Sequence, residues 1–81
     1  MAINYQQRIV RDPTVVGGEA VMRGTRVTLR TVLASLAEGA TIAEILADFP
    51  TLAEEDVRAA IAFAADSAQE DLPLAEAHGK R

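Results

Sequence analysis

Residues 17–39 read GGEAVMRGTRVTLRTVLASLAEG, and within them the periodicity of the chain changes. Up to Val27 the apolar residues come in short pieces, Ala20-Val21-Met22 and Val27, cut by glycines. Such pieces predict small strands, as a hairpin or a three-piece meander, rather than a helix. From Thr28 the pattern becomes helical: Leu29, Val32, Leu33 and Leu36 fall at i, i+3, i+4 and i+7. Thr28 is a suitable N-cap, and Val27 and Val32 occupy the two positions of a hydrophobic staple. Gly39 is placed to end the helix in a left-handed conformation. A first helix is therefore expected over about 28–38.

Upstream, residues 5–10 form a short mixed segment ending in Ile9-Val10, and Asp12-Pro13 signals a turn. The expected β element, 5–27, is too small to stand alone and must pack on something. Downstream, a second helix is expected over 42–49. Thr41-Ile42-Ala43-Glu44 has the capping-box pattern, Ile42, Ile45, Leu46 and Phe49 repeat the helical stripe, and Pro50 stops it. The third helix, about 54–69, has Leu52 and Val57 at the staple positions. Its expected buried face is Val57, Ala60, Ile61, Ala64, Ala65 and Ala68, with Phe63 to one side. Ala53 has no side-chain acceptor, so Asp56 is expected to serve its N-cap position. Residues 70–81, EDLPLAEAHGKR, are polar, broken by Pro73, and read as a flexible C-terminal tail.

The plan is a single small domain over 1–69 of mainly α class, with a short N-terminal β element followed by a three-helix bundle. Two helices joined by the short turn 48–53, after a packing helix, have the helix-turn-helix layout. Many three-helix domains that bind nothing in particular share it.

Composition narrows the function classes. Apolar residues are 49% of the 81, but alanines account for 16 of them and tryptophan is absent. A core of that size is marginal for a monomer, which makes self-association or a partner protein plausible on stability grounds. With no cysteine, neither a disulfide nor a zinc–thiolate site can staple the chain. No apolar run approaches the ~18 residues of a membrane span, and MAINYQQRIV lacks the apolar block of a signal peptide. The expected location is the cytoplasm. Net charge is −4 but unevenly spread: residues 1–30 balance to +3 and residues 31–79 to −9. The molecule has a basic front and an acidic back.

Catalysis lacks its residues. His78 is the one histidine and lies in the tail, while Ser35 and Ser67 sit mid-helix with no elbow motif. No enzyme activity, cofactor, metal or small-molecule substrate is expected. Glu44 and Asp48 stand four apart and could share a cation, but such pairs are common on an acidic solvent face. Glu54, Glu55 and Asp56 occupy the first turn of the third helix, where the macrodipole stabilises negative charge without any function. They also oppose direct DNA reading by that helix, whose N-terminal end would present three carboxylates to phosphate. Gly17-Gly18 and Gly24-Thr25 fit neither a Walker loop nor a dinucleotide fingerprint. Turn geometry explains them better.

The N-terminal arginines are harder to dismiss. Arg8, Arg11, Arg23, Arg26 and Arg30, with Thr25 among them, form the basic part of an acidic chain. Two readings stand side by side: ion pairs with the acidic helices, or contact with phosphate or a partner. If DNA is bound, these residues must do it, with a strong salt dependence.

The run from Arg8 to Asp66 resembles the bacterial family known as domain of unknown function 433. The shared pattern is Ile9-x-x-Asp12-Pro13, Gly17-Gly18, Gly24-Thr25-Arg26, a helix ending in Gly39, Glu44-Ile45-Leu46, Pro50-x-Leu52, and Asp56-Val57-x-Ala59-Ala60 with Ala64. Ala20 replaces a usual proline, Ala43 an acid and Ala53 a capping hydroxyl, and Phe49 and Phe63 stand where tyrosine is common. The resemblance implies a helix-turn-helix-like, homeodomain-like fold. It also implies an antitoxin that binds and neutralises a PIN-like nuclease toxin and that, in complex with it or as a homodimer, represses its own operon by DNA binding. Toxin contacts would then fall on Arg58, Asp66, Glu70, Asp71, Leu72 and Leu74. A stand-alone homodimeric DNA-binding regulator, or a protein-interaction module with no nucleic-acid role, remains the alternative.

Overall fold

The computed structural model describes residues 5–69. The expected class holds: three helices follow a short two-stranded antiparallel sheet. A 3-10 turn, Tyr5–Gln7, leads into β1, Ile9–Arg11, which pairs with β2, Ala20–Met22. The register sets Ile9 opposite Met22, Val10 opposite Val21 and Arg11 opposite Ala20. An isolated bridge from Val21 to Thr28 adds a third short piece, so the β element is a hairpin extended toward a meander. The expected tail, 70–81, lies outside the described residues, and with it Glu70, Asp71, Leu72, Leu74 and His78.

The helix ends follow local chemistry. In α1, Leu29–Ala37, the Thr28 hydroxyl accepts from the Thr31 N–H at 3.1 Å. Gly39, at φ 96°, takes the left-handed turn beyond the C-terminus. In α2, Ile42–Asp48, both halves of the capping box form: Thr41 N–H donates to Glu44 Oε1 at 2.8 Å, and Glu44 N–H to Thr41 Oγ1 at 3.1 Å. In α3, Glu54–Ala68, half of a box forms, since alanine offers no acceptor: Ala53 N–H donates to Asp56 Oδ2 at 2.8 Å.

The core gathers Met22 from β2, Leu29 and Val32 from α1, Ile45 from α2, Leu52, and Val57, Ala59 and Ala60 from α3. The sheet is therefore covered on one side by the helices, as its size requires. The expected face of α3 is corrected. Asp56, Val57, Ala59 and Ala60 are buried, and Phe63 and Ala64 half-buried. Ile61 is 43% exposed, and Ala65 and Ala68 are exposed. Alanines lie on every side of this helix, so the apolar pattern has no single phase. Packing against α1, β1 and the Tyr5–Gln7 turn chooses the phase instead. Tyr5 meets Phe63 edge-to-face with centroids 5.7 Å apart, and its hydroxyl donates to Asp66 Oδ2 at 2.8 Å. Such an aromatic pair contributes ~1 kcal/mol beyond its buried area.

Candidate functional site

The basic residues grouped together in the sequence are separated by the hairpin. Arg23 N–H donates to the Arg8 carbonyl at 2.7 Å, which continues the strand pairing and sets these two side by side. Arg11 stands at the other end of β1, opposite Ala20. Arg8 and Arg11 are three positions apart along the chain, ~10 Å at the usual strand rise. Two basic clusters result.

The first cluster surrounds a hairpin tip formed by Arg23-Gly24-Thr25-Arg26. Met22 N–H donates to the Val27 carbonyl at 2.9 Å and closes the tip. Gly24 has φ 78°, a conformation that costs side-chain-bearing residues energy. The Thr25 hydroxyl donates to the Met22 carbonyl at 2.8 Å and accepts from Val27 N–H at 3.0 Å. Thr25, expected among the binding residues, thus has both hydroxyl functions engaged inside its own turn. Arg23 donates through Nε to the Gln7 carbonyl and meets no carboxylate among the described residues. Arg26 is exposed and forms neither a hydrogen bond nor an ion pair with them. Arg8 differs, because its guanidinium donates to Asp56 Oδ1 at 3.1 Å, and the Asp56 side chain is only 10% exposed. Gln7, Arg8, Arg23 and Asp56 border a polar hollow of about 290 Å³.

The second cluster flanks an apolar groove of about 610 Å³, floored by Ala20, Leu29, Leu33, Ala37 and Phe63. Arg11 and Arg30 border it. Arg30 is paired with Glu19 at 3.0 Å on the exposed surface. Arg11 donates to the Gly18 carbonyl at 3.3 Å and meets no carboxylate among the described residues. A smaller hollow of about 220 Å³ shares Arg11, Ala20, Leu29 and Phe63 with the groove and extends it to Tyr5 and Gln6. Between the strands, Asp12 closes the β1 exit by accepting from Thr14 Oγ1 at 2.7 Å and Thr14 N–H at 2.9 Å. The Thr14 hydroxyl first, then its amide, hold the Asp12 carboxyl below the usual aspartate range.

The acidic side is mostly occupied by helix chemistry. Glu54 pairs with Arg58 one turn on, at 2.8 Å. Asp56 turns inward to cap α3 and meet Arg8. Of the expected toxin-binding residues, Arg58 is therefore held in an exposed i,i+4 pair and Asp66 accepts from Tyr5. Glu44 is held by Thr41 and lines an open acidic hollow with Glu38 and Asp48. Among the described residues no group of three or more His, Cys, Asp or Glu could hold a metal. No helix there is long and apolar enough to cross a membrane.

Three features escaped the sequence. The Arg8–Asp56 pair spans 48 positions, a separation no local pattern reports. The Arg30–Glu19 pair depends on how the hairpin returns to α1. The groove depends on the phase of α3, which brings Phe63 beside Leu29 and Leu33.

The arrangement has known counterparts. Residues 9–64 match the family model described as "Protein of unknown function (DUF433)". The chain is 38% identical over 56 residues to the uncharacterized protein y4eO of Sinorhizobium fredii, a match covering 69% of this chain. The matched part spans 25% of that relative's length. The crystal structure of a DUF433 member protein from Anabaena variabilis superposes with a TM-score of 0.67 at 35% identity, covering 83% of this chain and 70% of that one.

Proposed function

The chain belongs to the DUF433 family, and on that premise we propose that it is the antitoxin of a type II toxin–antitoxin pair. In this reading it binds and neutralises a PIN-like nuclease toxin in the cytoplasm, and as a homodimer it represses its own operon by binding operator DNA. The family resemblance supplies the role, and the reading assigns no catalytic activity to the chain. What supports it is the segregation of charge. Arg23 and Arg26 sit at a hairpin tip without a carboxylate partner among the described residues. Glu38, Glu44 and Asp48 gather on another surface. Opposite potentials on separate surfaces suit a protein that meets phosphate with one and a basic enzyme with the other.

DNA contact is assigned to the hairpin tip rather than to the last helix. The first turn of α3 carries Glu54, Glu55 and Asp56, and carboxylates in the major groove would repel phosphate. Purified chain should bind the PIN-like product of the neighbouring gene and suppress its nuclease activity. A well-folded toxin that is neither bound nor inhibited overturns the proposal.

Arg26, without a partner among the described residues, also favours a second reading, a stand-alone homodimeric regulator. It differs in needing no toxin for tight DNA binding. A salt titration by gel shift on the upstream DNA, with and without toxin, separates the two. Absence of binding even at low salt removes both DNA roles.

A further inference from the structure

Two arginines stand directly opposite each other at the base of the hairpin tip. The ladder pairs Ile9 with Met22, and the bond from Arg23 N–H to the Arg8 carbonyl extends it by one step. Opposite residues of an antiparallel pair project to the same side, where like charges repel. Only one of the two charges is balanced. Arg8 donates to Asp56 Oδ1 through one terminal nitrogen, and the other Asp56 oxygen accepts from Ala53 N–H. Arg23 donates through Nε to the Gln7 carbonyl, which leaves both terminal nitrogens of its fork without a partner among the described residues. The Gln7 side-chain amide has none among them either. Gln7, Arg8, Arg23 and Asp56 border one polar hollow of about 290 Å³. Two arginines against one aspartate leave it a net positive charge. Asp56, whose side chain is 10% exposed, holds Arg8 in place and turns both its oxygens to partners.

We propose that this hollow is a phosphate site, in which the Arg23 fork, the second terminal nitrogen of Arg8 and the Gln7 amide donate to the oxygens of one phosphate group. A guanidinium fork matches phosphate oxygens two at a time. One fork already fills a planar carboxylate, whereas donors on three separate side chains suit a tetrahedral anion. Such a site also accounts for the like charges set opposite each other, since a bound anion removes their repulsion. A nucleic-acid backbone and free phosphate present the same oxygens. The operator reading places DNA at the hairpin tip; this site adds Gln7 and Arg8 at its base and does not depend on that reading.

The test follows the arginine Nε–H and glutamine side-chain amide signals of the isotope-enriched full chain by NMR. Inorganic phosphate should move Gln7, Arg8 and Arg23 together and saturate. Arg11 is the control: it too meets no carboxylate among the described residues, but its neighbour across the ladder is Ala20. It should need roughly tenfold more phosphate. Arg23→Lys keeps the charge without the fork and should weaken saturation at Gln7 and Arg8 roughly tenfold. Gln7→Ala should weaken it less, by the share of one neutral donor. Both positions are exposed. A short duplex of the upstream DNA separates the two sources. If the duplex moves the same three signals and phosphate competes with it, the group is borne by the backbone. If phosphate moves them and the duplex does not, the site stands for free phosphate and plays no part in operator contact. If phosphate leaves them unmoved and the duplex moves only Arg26, the operator reading survives and this proposal is overturned. An equal response of every arginine, Arg11 included, reports loose counter-ions and overturns it. So does undiminished saturation in Arg23→Lys, or no response at all.

Discussion

Replacing Asp56 with alanine should be the most damaging single change outside the apolar core. One carboxylate performs three tasks: it accepts from the Ala53 amide at 2.8 Å, accepts from Arg8 at 3.1 Å, and sits in the first turn of α3. Loss of the cap bond costs ~1 kcal/mol. The ion pair adds roughly another 1 kcal/mol at most, because Arg8 is 41% exposed and solvent screens it. The macrodipole contributes ~0.5 kcal/mol. Together Asp56→Ala should cost about 1.5–2.5 kcal/mol, a fall in Tm of roughly 10 °C for a domain this small. Urea unfolding followed by far-UV circular dichroism measures it. Glu55→Ala, in the same turn and exposed, is the control, and it should lose only the dipole contribution of ~0.5 kcal/mol. Asp56→Asn keeps an acceptor for Ala53 but loses the charge, and should fall between the two. If Asp56→Ala costs no more than Glu55→Ala, the cap and the Arg8 pair contribute nothing and the reasoning fails. A double-mutant cycle with Arg8→Met then reports the pair alone.

Gly24→Ala should destabilise by about 1–2 kcal/mol through backbone strain alone, since an added Cβ meets nothing within 4 Å; an unchanged unfolding midpoint would contradict the left-handed tip. The phase of α3 can be tested by a pair of changes. Ile61→Lys should alter stability by less than about 0.5 kcal/mol, whereas Ala59→Leu, at a fully buried position, should cost ~1–3 kcal/mol by overpacking. Arg26→Glu should weaken DNA binding and lower the salt slope by ~1 for each phosphate that Arg26 neutralises, with no change in thermal stability; a normal gel shift would remove Arg26 from the interface. Asp12 should titrate below the usual aspartate range, and Thr14→Val should raise its midpoint in a carboxyl-carbon NMR titration. The sign is that of a depressed carboxylate: its contribution is full above the unfolded pKa and lost as pH falls through the folded one.

The sequence determined the helices and their ends, because those depend on groups within four residues of each other. Thr28, the Thr41–Glu44 box, Asp56 below Ala53, and Gly39 at φ 96° all stand where local hydrogen bonding requires them. It determined the unequal charge of the two ends as well, since that is a count. Tertiary structure alone decided what the arginines do. Pairing Arg8 across 48 positions with Asp56, and leaving Arg26 unpartnered among the described residues, follows from how the hairpin lies on α3. It also chose the face of α3, where alanines on every side leave helical periodicity without a phase. The reason is the same in both cases: a local pattern fixes the energy of a turn or a cap, but a surface forms only where distant segments are brought together by burial of a shared core.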